Sequence, residues 1–223
     1  CAINNGEFYG PSFQDILNGL CNQSSILNGG LRVNTQAEVD ALPEYTEITG
    51  ELVIGLDAST NDISDLSKFS KLTKVGGRML IQRNPNLTSL SAFANLTSIG
   101  AIGGVDVGEL VIRENPALTS LEGLESLIFI GDDLGILDNA ALVTLKGLEN
   151  LGTVQNRIFV GYQGWQGLEG TVKPNPLLTD YCALQKVIGN TTVSVLEFRE
   201  CAINNGEFYG PSFQDILDGS CKQ

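Results

Sequence analysis

The sequence predicts a β-solenoid, a stack of leucine-rich coils that together form a parallel β-helix. Two periodicities within one stretch, Glu109–Gly131, support this prediction. Leu110 and Ile112 alternate with other residues, as in a strand that buries one face, whereas after Asn115 an apolar side chain recurs at every third position up to Ile130. Because one such coil cannot bury its apolar edge alone, we expect the related stretches of the chain to stack on it.

Composition narrows the possible functions. The 223 residues are 42% hydrophobic and 17% charged, which is typical of a folded protein with a sizeable core. The net charge of −13 argues against nucleic acid as a partner. Histidine is absent, which excludes Ser-His-Asp and Cys-His catalysis and most kinds of zinc site. We therefore predict a protein that is not an enzyme, that needs no cofactor or metal, and that has no apolar run long enough for membrane insertion.

The two ends of the chain nearly repeat each other. Residues 1–23 return as residues 201–223, and only positions 18, 20 and 22 differ from positions 218, 220 and 222. We interpret this as one period of a tandem array with a 200-residue repeat, although an artificially duplicated end would give the same pattern. The predicted organisation is a junction at 1–30 that forms the tail of a preceding module, a β-helix domain at 31–200, and a C-terminal cap at 201–223.

Short helices are predicted near the ends of the stack. In each repeated segment, Pro11 or Pro211 precedes the sequence SFQDIL, and proline suits the first turn of a helix. Such a helix could close the open end of a stack. In the segment TQAEVDAL, Thr35 and Glu38 have the spacing of a capping box, and Pro43 is expected to end that helix.

The coils are predicted to begin at Ile48, each opening with a short strand. The strands start 24 to 31 residues apart, within the range of leucine-rich coils. Their predicted first residues are Leu52, Met79, Leu110, Leu134 and Ile158. Insertions near 101–107 and 162–173 interrupt the pattern, and Val193 and Val195 predict a last strand.

An asparagine recurs where each strand gives way to the period-three segment. These residues are Asn84, Asn115, Asn139 and Asn175. An inward asparagine at a tight bend can bond backbone groups that the bend leaves unpaired, so we predict a structural ladder rather than a ligand site. A proline that fixes the corner follows three of them, at Pro85, Pro116 and Pro176.

These motifs resemble the receptor L-domain family. The resemblance rests on repeats of the form NPxLTSLxxLxNLTSIG, on the opening TQAEVDAL and on the closing LTDYCALQ, and it covers about residues 31–223. It implies a leucine-rich, right-handed β-helix with short helical, disulfide-bearing caps, related to the ligand-binding lobes of the insulin and epidermal-growth-factor receptors. Tandem versions resemble surface proteins of Bacteroidota and protists. The motifs specify a fold much better than they specify a ligand.

Two disulfide patterns remain open. The resemblance implies a Cys182–Cys221 bond, which would leave Cys21 to a preceding module and would make Cys1 and Cys201 extra thiols. Local pairing instead joins Cys1 to Cys21 and Cys201 to Cys221 and leaves Cys182 alone. We favour local pairing, because identical segments should fold identically. Either pattern implies an oxidising, extracellular setting.

The residues that point outward between the inward strand positions form a candidate binding face. This apolar stripe consists of Val53, Leu80, Val111, Gly135 and Phe159. A flanking charged row consists of Glu51, Arg78, Glu109, Asp133 and Arg157, with mostly complementary neighbours. Aliphatic residues suit any flat sheet, but an exposed apolar stripe with a charged border is also typical of protein-binding faces.

The insertion near 162–173 places Tyr162 and Trp165 in a glycine-rich loop. Their rings could stack on a sugar, anchor a protein partner, or fold back over the last coil. The favoured hypothesis is a non-catalytic extracellular module of a tandem-repeat surface or filament protein. It would act in adhesion or assembly through contacts with neighbouring copies or other surface proteins. The alternative is a carbohydrate-binding module that uses the aromatic loop.

Overall fold

The computed structural model describes residues 2–4, 7–9, 25–101, 108–161, 175–190, 195–196, 203–204, 207–208 and 213–221. Most of these residues belong to a parallel β-solenoid, which confirms the predicted class of fold. The predicted N-terminal helix after Pro11 and both predicted insertions fall largely outside the described residues.

The long sheet of the solenoid contains seven described strands, all parallel and stacked in chain order. They are Leu31–Val33, Leu52–Ile54, Met79–Gln82, Leu110–Arg113, Leu134–Leu137, Arg157–Val160 and Val195–Leu196. Leu110 is in register with Met79 on one side and with Leu134 on the other. The five predicted strands therefore lie side by side, and Val195 belongs to the predicted last strand.

A short sheet of six described parallel strands forms a second wall, which the sequence did not predict. Its strands are Ile26–Leu27, Glu47–Ile48, Lys74–Val75, Ser98–Ile99, Phe129–Ile130 and Thr153–Val154. Each strand has only two residues, too few for an alternating pattern to be recognised. The expectation that coils begin at Ile48 was wrong by one coil, because Ile26–Leu27 and Leu31–Val33 form an earlier one.

The period-three segments consist of successive three-residue turns. The backbone N–H of Leu124 donates to the carbonyl of Leu121 at 3.2 Å, and that of Leu127 donates to the carbonyl of Leu124 at 3.0 Å. Each such turn returns the next leucine to the same side, and all three leucines are fully buried. The period of three in the sequence thus reflects the hydrogen bonds between residues three positions apart in these turns.

Five strands of the long sheet are followed directly by a residue with positive φ, which turns the chain out of the sheet. In three of them this residue is Arg83, Glu114 or Asp138, with φ of 58°, 56° and 50°. In the other two it is a glycine, Gly55 or Gly161. Left-handed backbone is unfavourable for residues other than glycine, so the surrounding coils hold these corners in place.

Short helices and hairpins complete the described structure. Gln36–Asp40 is a helix whose Thr35 and Glu38 form the predicted capping box. Gln185–Gly189 continues the last three-residue turn. The predicted C-terminal helix spans Phe213–Leu217.

Both repeated ends contain an antiparallel hairpin that we did not predict. The pairs are Ala2–Asn4 with Glu7–Tyr9, and Ile203–Asn204 with Glu207–Phe208. The Asn-Gly dipeptide in each segment was an available hairpin signal.

Candidate interaction surfaces

The recurring asparagines form a continuous hydrogen-bonded ladder inside the solenoid. The Nδ2 of Asn84 donates to Oδ1 of Asn115 at 2.9 Å, Asn115 donates likewise to Asn139 at 3.2 Å, and Asn139 donates to Asn175 at 3.1 Å. All four side chains are fully buried. Every step joins one coil to the next.

The ladder asparagines also bond the backbone of the preceding coil. Nδ2 of Asn115 donates to the carbonyl of Ile81 at 3.0 Å, and Nδ2 of Asn139 donates to that of Ile112 at 2.9 Å. Asn61, which sequence reasoning missed, extends the ladder by donating to Oδ1 of Asn84 at 2.8 Å. Several residues separate Asn61 from the end of its strand at Ile54, whereas three of the other ladder asparagines lie close to theirs. The only sequence feature that could have placed Asn61 in the ladder is its position just before the period-three segment. With their polar atoms already bonded, these residues build the scaffold.

The apolar stripe predicted as an exposed binding face is not exposed. Val53, Val111 and Phe159 retain only 2%, 5% and 3% of their accessible surface, and Leu80 is half-buried. Gly135, at the same register, is buried too. This face of the long sheet is therefore packed, in keeping with the tendency of parallel sheets to be covered on both faces.

Leu137 and Arg157 show how this face differs from a free sheet surface. Leu137 lies two positions after Gly135, on the same side of its strand, and is fully buried. Like Val53 and Phe159, it is buried without belonging to the core between the two sheets. The guanidinium of Arg157 lies 4.9 Å from the centroid of the Phe159 ring. The alternation predicted which side these residues face, but it carried no information about packing there.

The charged row has the complementary pairing that we predicted. Nε of Arg78 donates to Oε2 of Glu51 at 2.8 Å, and Arg78 also approaches Glu109, at 3.8 Å between Nη1 and Oε1. On neighbouring strands, Nη2 of Arg157 donates to Oδ2 of Asp133 at 2.9 Å, and Asp133 is buried. Neighbours along this border of the sheet therefore carry opposite charges, except at the step from Glu109 to Asp133, where two carboxylates are adjacent.

Two glutamates of this row have shifted pKa values, in opposite directions. Burial tends to raise the pKa of Glu51, but hydrogen bonds from Arg78 and Arg32 outweigh it, so that the pKa is lowered. Burial raises the pKa of Glu109; the charge of Arg78 offsets this in part, while the carboxylates of Asp132 and Asp133 add to it. No group of three or more acidic or cysteine side chains in the described segments could hold a metal ion.

The C-terminal end of the solenoid is closed by the helix Phe213–Leu217, which we call the cap helix. Its Ile216 is fully buried in the main core. The N–H of Tyr181 donates to the carbonyl of Cys221 at 3.0 Å, and Nε2 of Gln185 donates to that of Leu217 at 2.9 Å. Cys182 and Cys221 form a disulfide with a Cα–Cα distance of 5.1 Å.

The favoured local pairing of cysteines is therefore wrong for Cys201 and Cys221. The resemblance implied the observed Cys182–Cys221 bond correctly. Local pairing failed because the cap helix places Cys221 against the last coil, so that packing and not sequence distance selects its partner. The proposed bond between Cys1 and Cys21 lies outside the described residues.

Other candidate surfaces are smaller. Tyr162 and Trp165 lie outside the described residues, so their role stays a prediction. Five of the described apolar side chains are large and exposed: Ile26, Leu56, Ile128, Val143 and Leu177. Leu177 and Val143 lie on adjacent coils. No described helix has the length and apolar character needed to span a bilayer.

Comparison with known proteins identifies a family. Residues 46–154 match the model of the receptor L domain. No curated protein matches the chain significantly. Receptor L domains are non-catalytic ligand-binding modules, typically extracellular, and the Cys182–Cys221 disulfide fits such a setting. Given this match and the parallel solenoid that the matched residues form, residues 46–154 of the chain belong to the receptor L domain family.

Proposed function

We propose that the chain is a non-catalytic module of an extracellular tandem-repeat protein, and that it acts in adhesion or assembly through protein–protein contacts. One observation carries the proposal: residues 201–223, which contain the cap helix, occur a second time at residues 1–23 with three differences. A solenoid needs only one such closing segment at its C-terminal end. A second copy ahead of the first coil is what a preceding module would require.

The short distance between the first cap copy and the solenoid supports a stiff array. Cys21 is five residues from Ile26, where the first described strand of the solenoid begins. Five residues span at most about 17 Å, even when fully extended. If residues 1–23 close a preceding solenoid as residues 201–223 close this one, the two solenoids must lie nearly end to end. An array built in this way presents many weak contacts along a rod.

A two-period protein tests this proposal. It consists of residues 24–223 followed directly by a second copy of residues 24–223, so that the junction reproduces the repeated segment. We expect small-angle X-ray scattering to give a rod whose maximum dimension is about twice that of a single period. A compact particle in which the two solenoids pack side by side would contradict the proposal.

The matched control separates the two modules. Ten glycine and serine residues inserted after the first Gln223 should abolish the fixed end-to-end distance while leaving each solenoid intact, since such linkers behave as random coils. Circular dichroism would show whether both proteins contain the same amount of folded solenoid. A scattering profile that does not differ between the direct and the spaced junction would count against a stiff array.

A further inference from the structure

The C-terminal end of the solenoid is a defined receptor for a cap segment. We call the residues that hold the cap helix the acceptor end: Tyr181, Cys182 and Gln185. They supply a backbone hydrogen bond, a disulfide and a side-chain hydrogen bond to residues 217–221. Next to them, Ile216 of the cap helix enters the core.

The N-terminal copy of the cap keeps the three residues through which the described part of the cap contacts the acceptor end and the core. Ile216, Leu217 and Cys221 correspond to Ile16, Leu17 and Cys21, with identical side chains. Two of the three differing positions are occupied by Asp218 and Ser220, and both are exposed. The third is position 222, outside the described residues. The described differences therefore avoid the buried side of the cap.

We propose that residues 1–23 of a second copy of this chain close the acceptor end, with Cys21 of that copy bonded to Cys182. Identical elements can be exchanged between protomers because each fits the same receptor. The inference rests on the proposed assembly function and adds to it the segment, the receptor and the bond that join the copies. The resulting contact is head to tail, and each junction displaces the C-terminal cap of the chain whose acceptor end is closed.

The N-terminal cap of the same chain is out of reach of its own acceptor end. The six strands of the short sheet span five strand spacings, about 24 Å, and Cys182 follows the last of them in the chain. The chain between Ile26 and Cys21 spans at most about 17 Å. Closure by residues 1–23 must therefore be intermolecular, or must join successive periods of one longer chain.

The exchange is a balanced thiol–disulfide reaction. The Cys21 thiolate attacks Sγ of Cys182, a Cys21–Cys182 bond forms, the Cys182–Cys221 bond breaks, and Cys221 leaves as the thiolate. Because one disulfide replaces another, no net oxidant is required. We call residues 201–223 of the same chain the resident cap. Because the resident cap is covalently connected to its own acceptor end, its effective concentration there is higher than that of a cap from another chain. Exchange is therefore best detected in a variant whose resident cap binds weakly.

The test uses the full chain with Ile216→Asp and Cys221→Ser, so that the resident cap can neither pack nor bond. Cys1→Ser and Cys201→Ser remove the two extra thiols. Glutathione disulfide serves as the oxidant that links Cys21 to Cys182 and is itself reduced to two thiols. We expect a ladder of disulfide-linked oligomers on a non-reducing gel, and a Cys21–Cys182 peptide by mass spectrometry.

The matched control carries the same pair of changes in the other cap as well, Ile16→Asp and Cys21→Ser. It should remain monomeric under identical conditions. A ladder in the control, or oligomers without the Cys21–Cys182 peptide, would overturn the proposal. Circular dichroism compares the folded content of the variants with that of the unchanged chain, and Ile216→Ala replaces Ile216→Asp if the latter reduces it.

A peptide assay gives a second readout that does not depend on polymerisation. With glutathione disulfide again as the oxidant, a synthetic peptide of residues 1–23 with Cys1→Ser should cross-link to Cys182 of the control protein roughly tenfold or more faster than the same peptide with Ile16→Asp. Equal rates would mean random thiol capture and would refute the receptor. If the peptide fails while the two-period protein is a rod, this inference falls and the proposed function stands. A specific cross-link together with a collapsed two-period protein would instead support the cap receptor and contradict the stiff array.

Discussion

The side-chain oxygen of Asn115 accepts two hydrogen bonds from Asn84, one from its backbone N–H at 3.3 Å and one from its Nδ2 at 2.9 Å. The two residues are 31 positions apart in the chain and lie on adjacent coils. Asn115 in turn donates to Ile81 and Asn139. A single buried amide thus connects three coils, which makes the ladder a sensitive point of the fold.

Replacing Asn115 by alanine should destabilise the protein strongly. The change removes these hydrogen bonds, among them the one that the buried backbone N–H of Asn84 donates, and each unsatisfied buried polar group costs about 1–3 kcal/mol. We expect the free energy of unfolding to fall by about 3–5 kcal/mol in urea denaturation. Asn86→Ala, at an exposed position two residues after Asn84, is the control and should change the value by less than about 0.5 kcal/mol. Similar losses in both variants would contradict the structural role of the ladder.

Glu51→Gln and Glu109→Gln should change stability with opposite sign at neutral pH. The folded-state pKa of Glu51 is lowered, so its ionised form contributes stability above the ordinary carboxyl range, and this is lost as pH falls through the folded pKa. We expect Glu51→Gln to destabilise the protein by about 1 kcal/mol at pH 7. The difference from the unchanged chain should shrink on acidification.

For Glu109 the sign is reversed. The pKa of Glu109 is raised in the folded state. Its protonated form therefore contributes stability that is fully present below the ordinary carboxyl pKa, and this stability is lost as the pH rises through the folded-state pKa. Glu109→Gln should therefore stabilise the protein at pH 7, by about 0.5–1 kcal/mol, and should have little effect near pH 3. Denaturation curves from pH 3 to pH 8 measure both variants, and destabilisation by Glu109→Gln at pH 7 would contradict the prediction.

Loss of the disulfide should open the C-terminal end. The bond joins residues 39 positions apart, and a loop of that length corresponds to about 4 kcal/mol of stabilisation in the chain-entropy description. We expect Cys182→Ser, Cys221→Ser and the double variant to lose similar amounts, because all three break the same bond. Cys201→Ser should leave stability and the disulfide map unchanged. A large effect of Cys201→Ser would instead support the local pairing.

Gly147 occupies a position that a side chain cannot share. Its φ is +115°, and a Cβ there would lie 2.0 Å from the carbonyl oxygen of Leu121 on the neighbouring coil. Gly147→Ala should therefore push two coils apart and cost about 3 kcal/mol. At Gly152 the nearest atom to an added Cβ is the carbonyl oxygen of Ile128, at 3.6 Å. Gly152→Ala should be tolerated, and thermal unfolding of the two variants should separate them clearly.

Local patterns predicted the parts of the fold that depend on a single coil. The alternation at Leu110 and Ile112 reports which side chains face the core, and the spacing of Thr35 and Glu38 suffices for a capping box. The short sheet escaped prediction because two residues show no period. The buried stripe escaped because alternation gives the side of a strand but not what packs against that side.

The sequence alone determined the class of fold: its periods of two and three and its recurring asparagines lead to a stack of coils, and residues 1–23 recur at residues 201–223 with three differences. Only the tertiary structure decided three further points. It buried Val53, Val111 and Phe159, it joined Cys182 to Cys221, and it placed Asn61 in the ladder. Repeats encode contacts between equivalent positions of neighbouring coils. The burial of Val53, Val111 and Phe159 lies outside the core that these contacts build, and the partner of Cys221 is set by the packing of the cap helix. Asn61 makes the same contact as the other ladder residues, but the residues between Ile54 and Asn61 hide its place in the repeat.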